Sequence, residues 1–420
     1  MGLKRFQLVL IICISILVGY VIGMYRVNFE WKQYQPHIQL VNAEPPSDVT
    51  TVDMTQFWTV WEKVSQDYYD KKAIDPKKMM DGAIAGMVSA IGDPYTMYLP
   101  PTQNSDFQSQ LAGQFTGIGA ELGMQDRQII VIAPIEGSPA QKAGIRAGDA
   151  IATVDGKRID GWTLPQTVTA IRGPKGTTVT LEVLHKGDSQ LTKIPIVRDV
   201  ITVKSVDGWV KQVKDIDGLS SSNSALLAHS TDKVMYVRLS QFGDNTNKDW
   251  SALITQLASQ AQGAKGMVLD LRNNPGGYLK DAAYIAGEFL PIGKVVVYEA
   301  DDGKDPVALA VDRQGSLLNM PLVILINGGS ASASEIVSGA MQDYKRATLV
   351  GDQSFGKGTI QNVDDLGGGA GLHVTIAKWL TPTQRWIHGK GLTPDVPTAL
   401  NPNDPSHDTQ LEAAIQQLLK

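Results

Sequence analysis

Two stretches of this chain pass from a continuous apolar run, through a glycine-broken turn, into a helical pattern, and together they fix its core. Met267-Val-Leu-Asp-Leu271 runs into Arg272-Asn-Asn-Pro-Gly-Gly277 ahead of a helical segment over 280–290. Pro321-Leu-Val-Ile-Leu-Ile326 breaks at Asn327-Gly-Gly-Ser330 ahead of a helix over 331–344 that carries Glu335 in its first turn. Short apolar runs without alternation predict strands buried on both faces, which requires helices on each side of a largely parallel sheet. An α/β core is therefore expected over about 200–400. Its strands are Val234 to Leu239, Gly266 to Leu271, Leu322 to Ile326, Ala347 to Gly351 and Gly371 to Trp379, alternating with helices.

The second turn carries Ser332 at the strand-to-helix change, and Gly351-Asp-Gln-Ser-Phe-Gly-Lys357-Gly358 follows 25 residues later. A serine hydroxyl is a weak nucleophile until a neutral base takes its proton, and a free lysine, with a pKa of about 10.4, is protonated at neutral pH. Burial among apolar neighbours lowers a lysine pKa and turns the amine into a base. The predicted strand Ala347-Thr-Leu-Val350 and Phe355 supply apolar neighbours, and no other formal charge lies between Asp352 and Asp364. Ser332 at a helix N-terminus would have unpaired N–H groups beside it. The N–H groups of Gly277 and Ala333 make a natural pair of oxyanion donors, since an oxyanion hole needs about two.

Plainer readings compete with each of these. Ser330-Ala-Ser332-Ala-Ser334 has the composition of a helix cap, and Ser330 and Ser334 are expected to act only as caps. Gly351 to Lys357 also satisfies G-x-x-x-x-G-K, the start of a phosphate-binding loop. The match fails at Gly358, where a Mg²⁺-binding Ser or Thr belongs, and Thr359-Ile-Gln-Asn-Val363 reads as a strand with no helix N-terminus to hold a phosphate.

Five ordered blocks now resemble one family. Asp93-Pro-Tyr-Thr-Met-Tyr-Leu99, Asp270 to Gly277, Ser330 to Glu335, Ser354-Phe-Gly-Lys-Gly-Thr-Ile-Gln361 and Gly391-Leu-Thr-Pro-Asp395 are similar to those of the C-terminal processing, or tail-specific, peptidases, from about residue 55 to 400. Pro275 departs from the small residue found in many relatives. The resemblance implies a crotonase-like α/β serine protease core with Ser332 as nucleophile, Lys357 as base and Gln361 orienting the lysine amine. Gly277 and Ala333 would form the oxyanion hole.

Residues 104–200 carry a module of their own. Phe115-Thr-Gly-Ile-Gly-Ala120, Gly137 to Asp149 and Ile151-Ala-Thr-Val-Asp155 resemble a PDZ domain, which binds a peptide as an added strand and holds its terminal carboxylate in a backbone nest. Gly117, Ile118, Gly119 and Ala120 are the candidate carboxylate loop, and a helix over 164–172 is the other wall of the groove. Arg172 at its end is either a charge sensor or an ordinary cation at a helix C-terminus. The expected partners are protein substrates with free, apolar C-termini.

At the N-terminus, Lys4-Arg5 precede Phe6 to Tyr25, 20 residues without a charge, enough to cross a bilayer of about 30 Å. With no small-residue cleavage site close behind, this reads as an uncleaved signal-anchor that leaves residues 26–420 outside the cytoplasm. The expected organisation is stub and membrane helix 1–30, linker 31–54, helical region 55–103, PDZ 104–200, protease core 201–400 and C-terminal helix 401–420. In the helical region Met79, Met80 and Met87 are expected in a core. The apolar side of the tail (Leu411, Ala414, Ile415, Leu418) is compatible both with docking on the core and with pairing two copies.

Composition narrows the classes further. The only cysteine, Cys13, lies inside the apolar run, so no disulfide framework exists. Net charge is −5 with no long basic run, which disfavours nucleic acid. Six scattered histidines and no paired cysteines give no support to a metal or other cofactor. The competing functional readings are an inactive membrane-anchored PDZ scaffold and a small-molecule esterase or amidase.

Overall fold

The computed structural model describes residues 52–420 except 126, 127, 136, 147, 163, 203, 221, 222, 302, 402, 403 and 405, together with residues 7 and 15 and the backbone of 27–32 and 35–40. Among the described residues no helix is long and apolar enough to cross a membrane. The apolar run 6–25 lies outside them apart from the helical residues 7 and 15.

The chain divides into two compact units, Met1–Met80 and Asp81–Lys420. In the first, Val27–Lys32 and Gln35–Leu40 pair antiparallel where a linker was expected. The alternation in Val27-Asn-Phe-Glu-Trp-Lys32 favours a strand over the coil signalled by Pro36. The helix Thr55–Asp67 brings Phe57, Trp58 and Trp61 into ring contact and buries no residue fully. The helix Pro76–Ser89, whose residues from Asp81 on belong to the second unit, buries only Val88 fully; Met80 and Met87 are 40% and 68% exposed rather than part of a core.

The second unit contains a five-strand antiparallel path in the order Leu191–Val197, Thr178–Leu184, Ala150–Val154, Gln128–Pro134 and Ala120–Gln125. Its core is formed by Ile118, Val131, Ile151, Val179, Leu181 and Val183 with Ile171 from the helix Leu164–Ile171. The strands Gln114–Gly117 and Asp199–Thr202, which lead into and out of this module, pair with each other and close its neck.

The main sheet runs Val206–Gln212, Lys233–Leu239, Ala264–Asp270, Leu322–Ile326, Ala347–Gly351 and Val396–Pro397. Its first pair is antiparallel and the rest are parallel. Period-two geometry sends alternate side chains to opposite faces. Leu322, Ile324 and Ile326 enter one core with Ile285, Val337 and Trp379, whereas Val323 and Leu325 meet Leu411, Ala414 and Ile415 of the tail helix Thr409–Leu418. Burial on both faces explains the unalternated apolar runs. It also assigns the tail's apolar side to its own chain, removing the observation that pointed to a second copy. The strand Ala370–Leu380 is not part of this sheet. It forms a hairpin with Thr359–Gly367 in a second sheet, because no helix intervenes to carry it across.

Asp270 and Leu325 are register partners on adjacent parallel strands, so the turns after them emerge side by side at the carboxyl edge, where open α/β sheets place their sites. Ile415→Ala should cost about 2–5 kcal/mol in a urea melt of the full chain; unchanged stability would mean that the tail does not support this core.

Candidate active site

Ser332 is the N-cap of the helix Ala333–Asp343, with φ 54° and ψ −115°. A non-glycine residue there costs about 1–3 kcal/mol and is held by its surroundings. Those surroundings are the 271–277 turn. Ser330 Oγ donates to Leu271 O at 2.8 Å and Ser334 Oγ donates to Asn274 O at 2.8 Å. Both serines were expected to cap the helix. They instead staple one turn to the other: both serines are fully buried, so each hydroxyl needs a partner inside the protein, and each finds it in a carbonyl of the 271–274 segment that also accepts a backbone N–H. Ser332 lies between these two staples, at the N-cap itself.

The opposing turn is held as tightly. Asn274, fully buried, donates to Leu239 O at 2.7 Å and accepts from Gly276 N at 2.9 Å. A Cβ on Gly276 would lie 2.7 Å from Ser332 Cβ and 2.9 Å from Ala333 N, so this turn rests directly on the serine. Gly277, at φ 138°, bridges Phe242, whose N–H donates to Gly276 O while its carbonyl accepts from Tyr278 N. A Cβ on Gly277 would collide with Phe242 O. Among the described residues, neither Gly277 N–H nor Ala333 N–H has an acceptor, and these are the two donors expected to face an oxyanion.

Glu335 joins the serine to the lysine. Fully buried, it accepts from Ser332 N at 2.9 Å and Lys357 N at 2.9 Å through Oε2, and from Ser354 Oγ at 2.6 Å and Gly356 N at 2.7 Å through Oε1. The sequence reading placed Glu335 only in a first turn. The Ser332-x-x-Glu335 spacing of a capping box was the signal that could have drawn attention to it.

Burial pushes the Lys357 amine below the ordinary lysine range, against the opposing pull of Asp93 and Glu335. The expected isolation from charge thus holds along the chain but not in space. Phe355 is 55% exposed and shields little. The Tyr95 ring centroid lies 5.0 Å from Lys357 Nζ, and the Trp379 indole N–H fixes the lysine backbone by donating to Lys357 O at 2.8 Å. The Asp93-Pro-Tyr-Thr96 block therefore belongs to the site. Burial acts to raise the Asp93 pKa, but hydrogen bonds from Thr375, Thr96 and the Tyr95 N–H outweigh it and hold the carboxyl low. Gln361 donates to Thr359 Oγ1 at 2.9 Å and Thr375 Oγ1 at 3.0 Å. Among the described residues no hydrogen bond joins it to Lys357, so the expected orienting contact is absent and Gln361 reaches this network through Thr375. The strand Thr359–Gly367 follows the lysine where a phosphate-binding loop requires a helix.

At the other module, Gly117, Ile118 and Gly119 are buried and Ala120 opens the edge strand. The N–H groups of Ile118 and Gly119 have no acceptor among the described residues. Gly119 has φ 74°, and a Cβ there would lie 2.5 Å from Ser138 Cβ. Arg172 lies over the Phe115 ring at 5.4 Å, with its Cγ 3.9 Å from the Cβ position of Gly117. An open groove of about 610 Å³ runs along the same helix, lined by Trp162, Gln166, Thr169 and Ala170. Among the described residues no group of three or more His, Cys, Asp or Glu is arranged to hold a metal.

An α/β core with a serine turn and an inserted peptide-binding module defines a serine-type peptidase with a PDZ domain. Residues 233–398 match peptidase family S41, 116–196 a PDZ domain and 16–102 the activating protease CtpB N-terminal domain. The carboxy-terminal-processing protease of Bartonella bacilliformis is 37% identical over 83% of this chain and 75% of its own length. A probable CtpA-like serine protease of Staphylococcus aureus is 36% identical over 94% of this chain and 73% of its own. The solved photosystem II D1 C-terminal processing protease has 31% identity and a TM-score of 0.50, covering 86% of this chain and 96% of that one. The chain belongs to the C-terminal processing peptidases of family S41.

Gly277→Ala keeps the N–H but sets a Cβ against Phe242 O; if this N–H serves as an oxyanion donor, its displacement should lower kcat by about 10²–10³-fold in steady-state assays. For Lys357→Met the sign follows from linkage. A lysine whose folded-state pKa is depressed destabilises the fold fully at low pH, and the penalty fades as pH rises from the depressed value to the ordinary one. Lys357→Met should therefore melt higher than wild type at neutral pH, with the gap closing as pH approaches the ordinary lysine range.

Proposed function

We propose that this chain is a membrane-anchored, extracytoplasmic endopeptidase that captures the C-terminus of a protein substrate in its PDZ groove and cleaves with a Ser332/Lys357 dyad. The observation that carries the dyad is the Glu335 carboxylate, which accepts from the backbone N–H of both residues. Neutral Lys357 takes the Ser332 proton as Oγ attacks the substrate carbonyl. Gly277 and Ala333 N–H groups stabilise the tetrahedral oxyanion, and the lysine returns the proton to the leaving amine. Water, activated by the same amine, then hydrolyses the acyl-enzyme. Gln361 supports the site at one remove, through Thr375, which hydrogen-bonds Asp93, and the core is of the crotonase-like kind.

The free N–H groups of Ile118 and Gly119 suit a terminal carboxylate, and Arg172 beside Gly117 supplies the positive charge that favours it. The buried, apolar walls at Ile118 favour an apolar last residue. The uncharged run 6–25 behind Lys4-Arg5 is the membrane anchor, and residues 26–420 lie outside the cytoplasm. Retention of the full chain in the membrane pellet after alkaline extraction supports the anchor, and release into the supernatant opposes it.

An unfolded reporter with a free apolar C-terminus and its amidated twin test the reading with the full chain in detergent. Wild type should favour the free carboxylate by about 10- to 100-fold in kcat/KM, the scale of a charge-assisted hydrogen bond. Ser332→Ala and Lys357→Ala should each remove about 10⁴-fold or more, and the double variant should be no worse. Wild-type inactivity would favour a PDZ scaffold, and indifference to amidation would favour an esterase or amidase.

A further inference from the structure

The two reactive turns share a distant fastening that the chemistry does not use. Arg272, five residues before Gly277, is largely buried and forks between two carboxylates. It reaches Asp270 through Nε at 3.0 Å to Oδ1 and Nη2 at 2.6 Å to Oδ2, and Asp408 through Nη1 and Nη2, both at 2.9 Å. Its Nη1 also donates to Gln410 Oε1 at 3.2 Å. Gln410, fully buried, turns its Nε2 to Asp352 Oδ2 at 2.8 Å, and Asp352 stands five residues before Lys357. The first turn of the tail helix thus grips the segment leading to Gly277 with one hand and the segment leading to Lys357 with the other.

The charges are arranged to keep this grip. One guanidinium serves two carboxylates, and the excess negative charge is taken up on both sides. Tyr236 OH donates to Asp270 at 2.7 Å, and Asp408 caps the tail helix by accepting from Leu411 N at 2.9 Å, at the positive end of the helix dipole. The planar guanidinium spans both acids in a fixed fork, which a lysine ammonium cannot reproduce.

The link to the reactive atoms is short and stiff. Asn273 sits at φ 57° with its N–H on Asn327 Oδ1, Pro275 has its φ locked, and Asn274 holds Gly276 N. A shift at Arg272 therefore travels to Gly277 instead of being absorbed by the turn.

We infer that Arg272, Asp408 and Gln410 are positioning residues for amide hydrolysis: the tail helix aims the Gly277 donor and the Lys357 loop from behind. This inference rests on the assignment of Gly277 and Lys357 in the proposed function. Misplacement of reacting groups by about 1 Å costs about 10²-fold, so loss of the fork appears in kcat, while the PDZ groove keeps KM.

The test uses the full chain in detergent with the free-carboxylate reporter, alongside hydrogen exchange of peptides 271–278 and 352–358. Asp408→Asn and Arg272→Lys should lower kcat by about 10- to 100-fold, leave KM within about threefold, and speed exchange in peptide 271–278. Asp408→Glu should recover most of the rate. Gln410→Met releases Asp352 while sparing the Arg272–Asp408 pair, and should speed exchange chiefly in 352–358; it also serves if the charge variants fail to fold. Glu412→Gln is the control, since Glu412 fastens the same helix to Ser220 and Asn223, away from both turns, and should change neither kcat nor these peptides. Folded Asp408→Asn and Arg272→Lys with wild-type kcat would overturn the inference, as would an equal kcat loss in Glu412→Gln. Wild-type activity in Ser332→Ala would overturn the assignment of the site instead, and exchange confined to the two peptides would still establish the fastening.

Discussion

Ser332 and Lys357 stand 25 residues apart in the chain, and the Glu335 carboxylate fixes how far apart they stand in space. A buried carboxylate without partners would be costly, and this one has four donors, two of them the backbone N–H groups of Ser332 and Lys357. The same charge works against the base role proposed for Lys357, because a nearby anion favours the ammonium. Desolvation is the larger influence and leaves Lys357 below its usual range. The arrangement therefore accepts an electrostatic opposition within the site in exchange for a backbone clamp. Burial prevails although the amine also faces the Tyr95 ring, while Trp379 holds the lysine backbone.

The clamp works because the sheet delivers its parts to one place. Parallel strands covered on both faces leave their carboxyl edge as the open side, and the two turns that follow adjacent strands must meet there. Small residues then set the spacing. Gly276 rests on the serine turn and Gly277 on Phe242, at distances no side chain would tolerate. The peptide-binding module joins this core through paired entry and exit strands, so it is inserted without interrupting the main sheet.

Much of this was legible in the residues, for identifiable reasons. Apolar runs broken by glycine marked the strands and turns, since burial on both faces and sharp reversal each leave a composition of their own. Ser332 and Lys357 could be singled out as candidates because a serine at a strand-to-helix turn and a glycine-flanked lysine are chemically distinctive, and Gly277 and Ala333 because such turns can aim backbone N–H groups. Contacts between segments distant in sequence were not readable. Glu335 looked like any first-turn acid, and the 93–96 block gave no hint that Tyr95 would face the lysine. Phe355 seemed a better shield than it is, because adjacency in sequence says nothing of which way a loop side chain turns. Ser330 and Ser334 were misread as caps for the same reason: their acceptors lie some sixty residues upstream. The strand Ala370–Leu380 was assigned to the wrong sheet because strand composition does not encode partners.

The central claim is that Lys357 is a neutral base at the pH where the enzyme works. The most direct measurement is the titration of its side chain by NMR in protein carrying ¹³C-labelled lysine, in the Ser332→Ala background, with Lys357→Met identifying the resonance. A titration clearly below the ordinary value of about 10.4, separate from the surface lysines, is the result this structure predicts. A Lys357 resonance that titrates with the surface lysines would contradict it and leave Ser332 without its base.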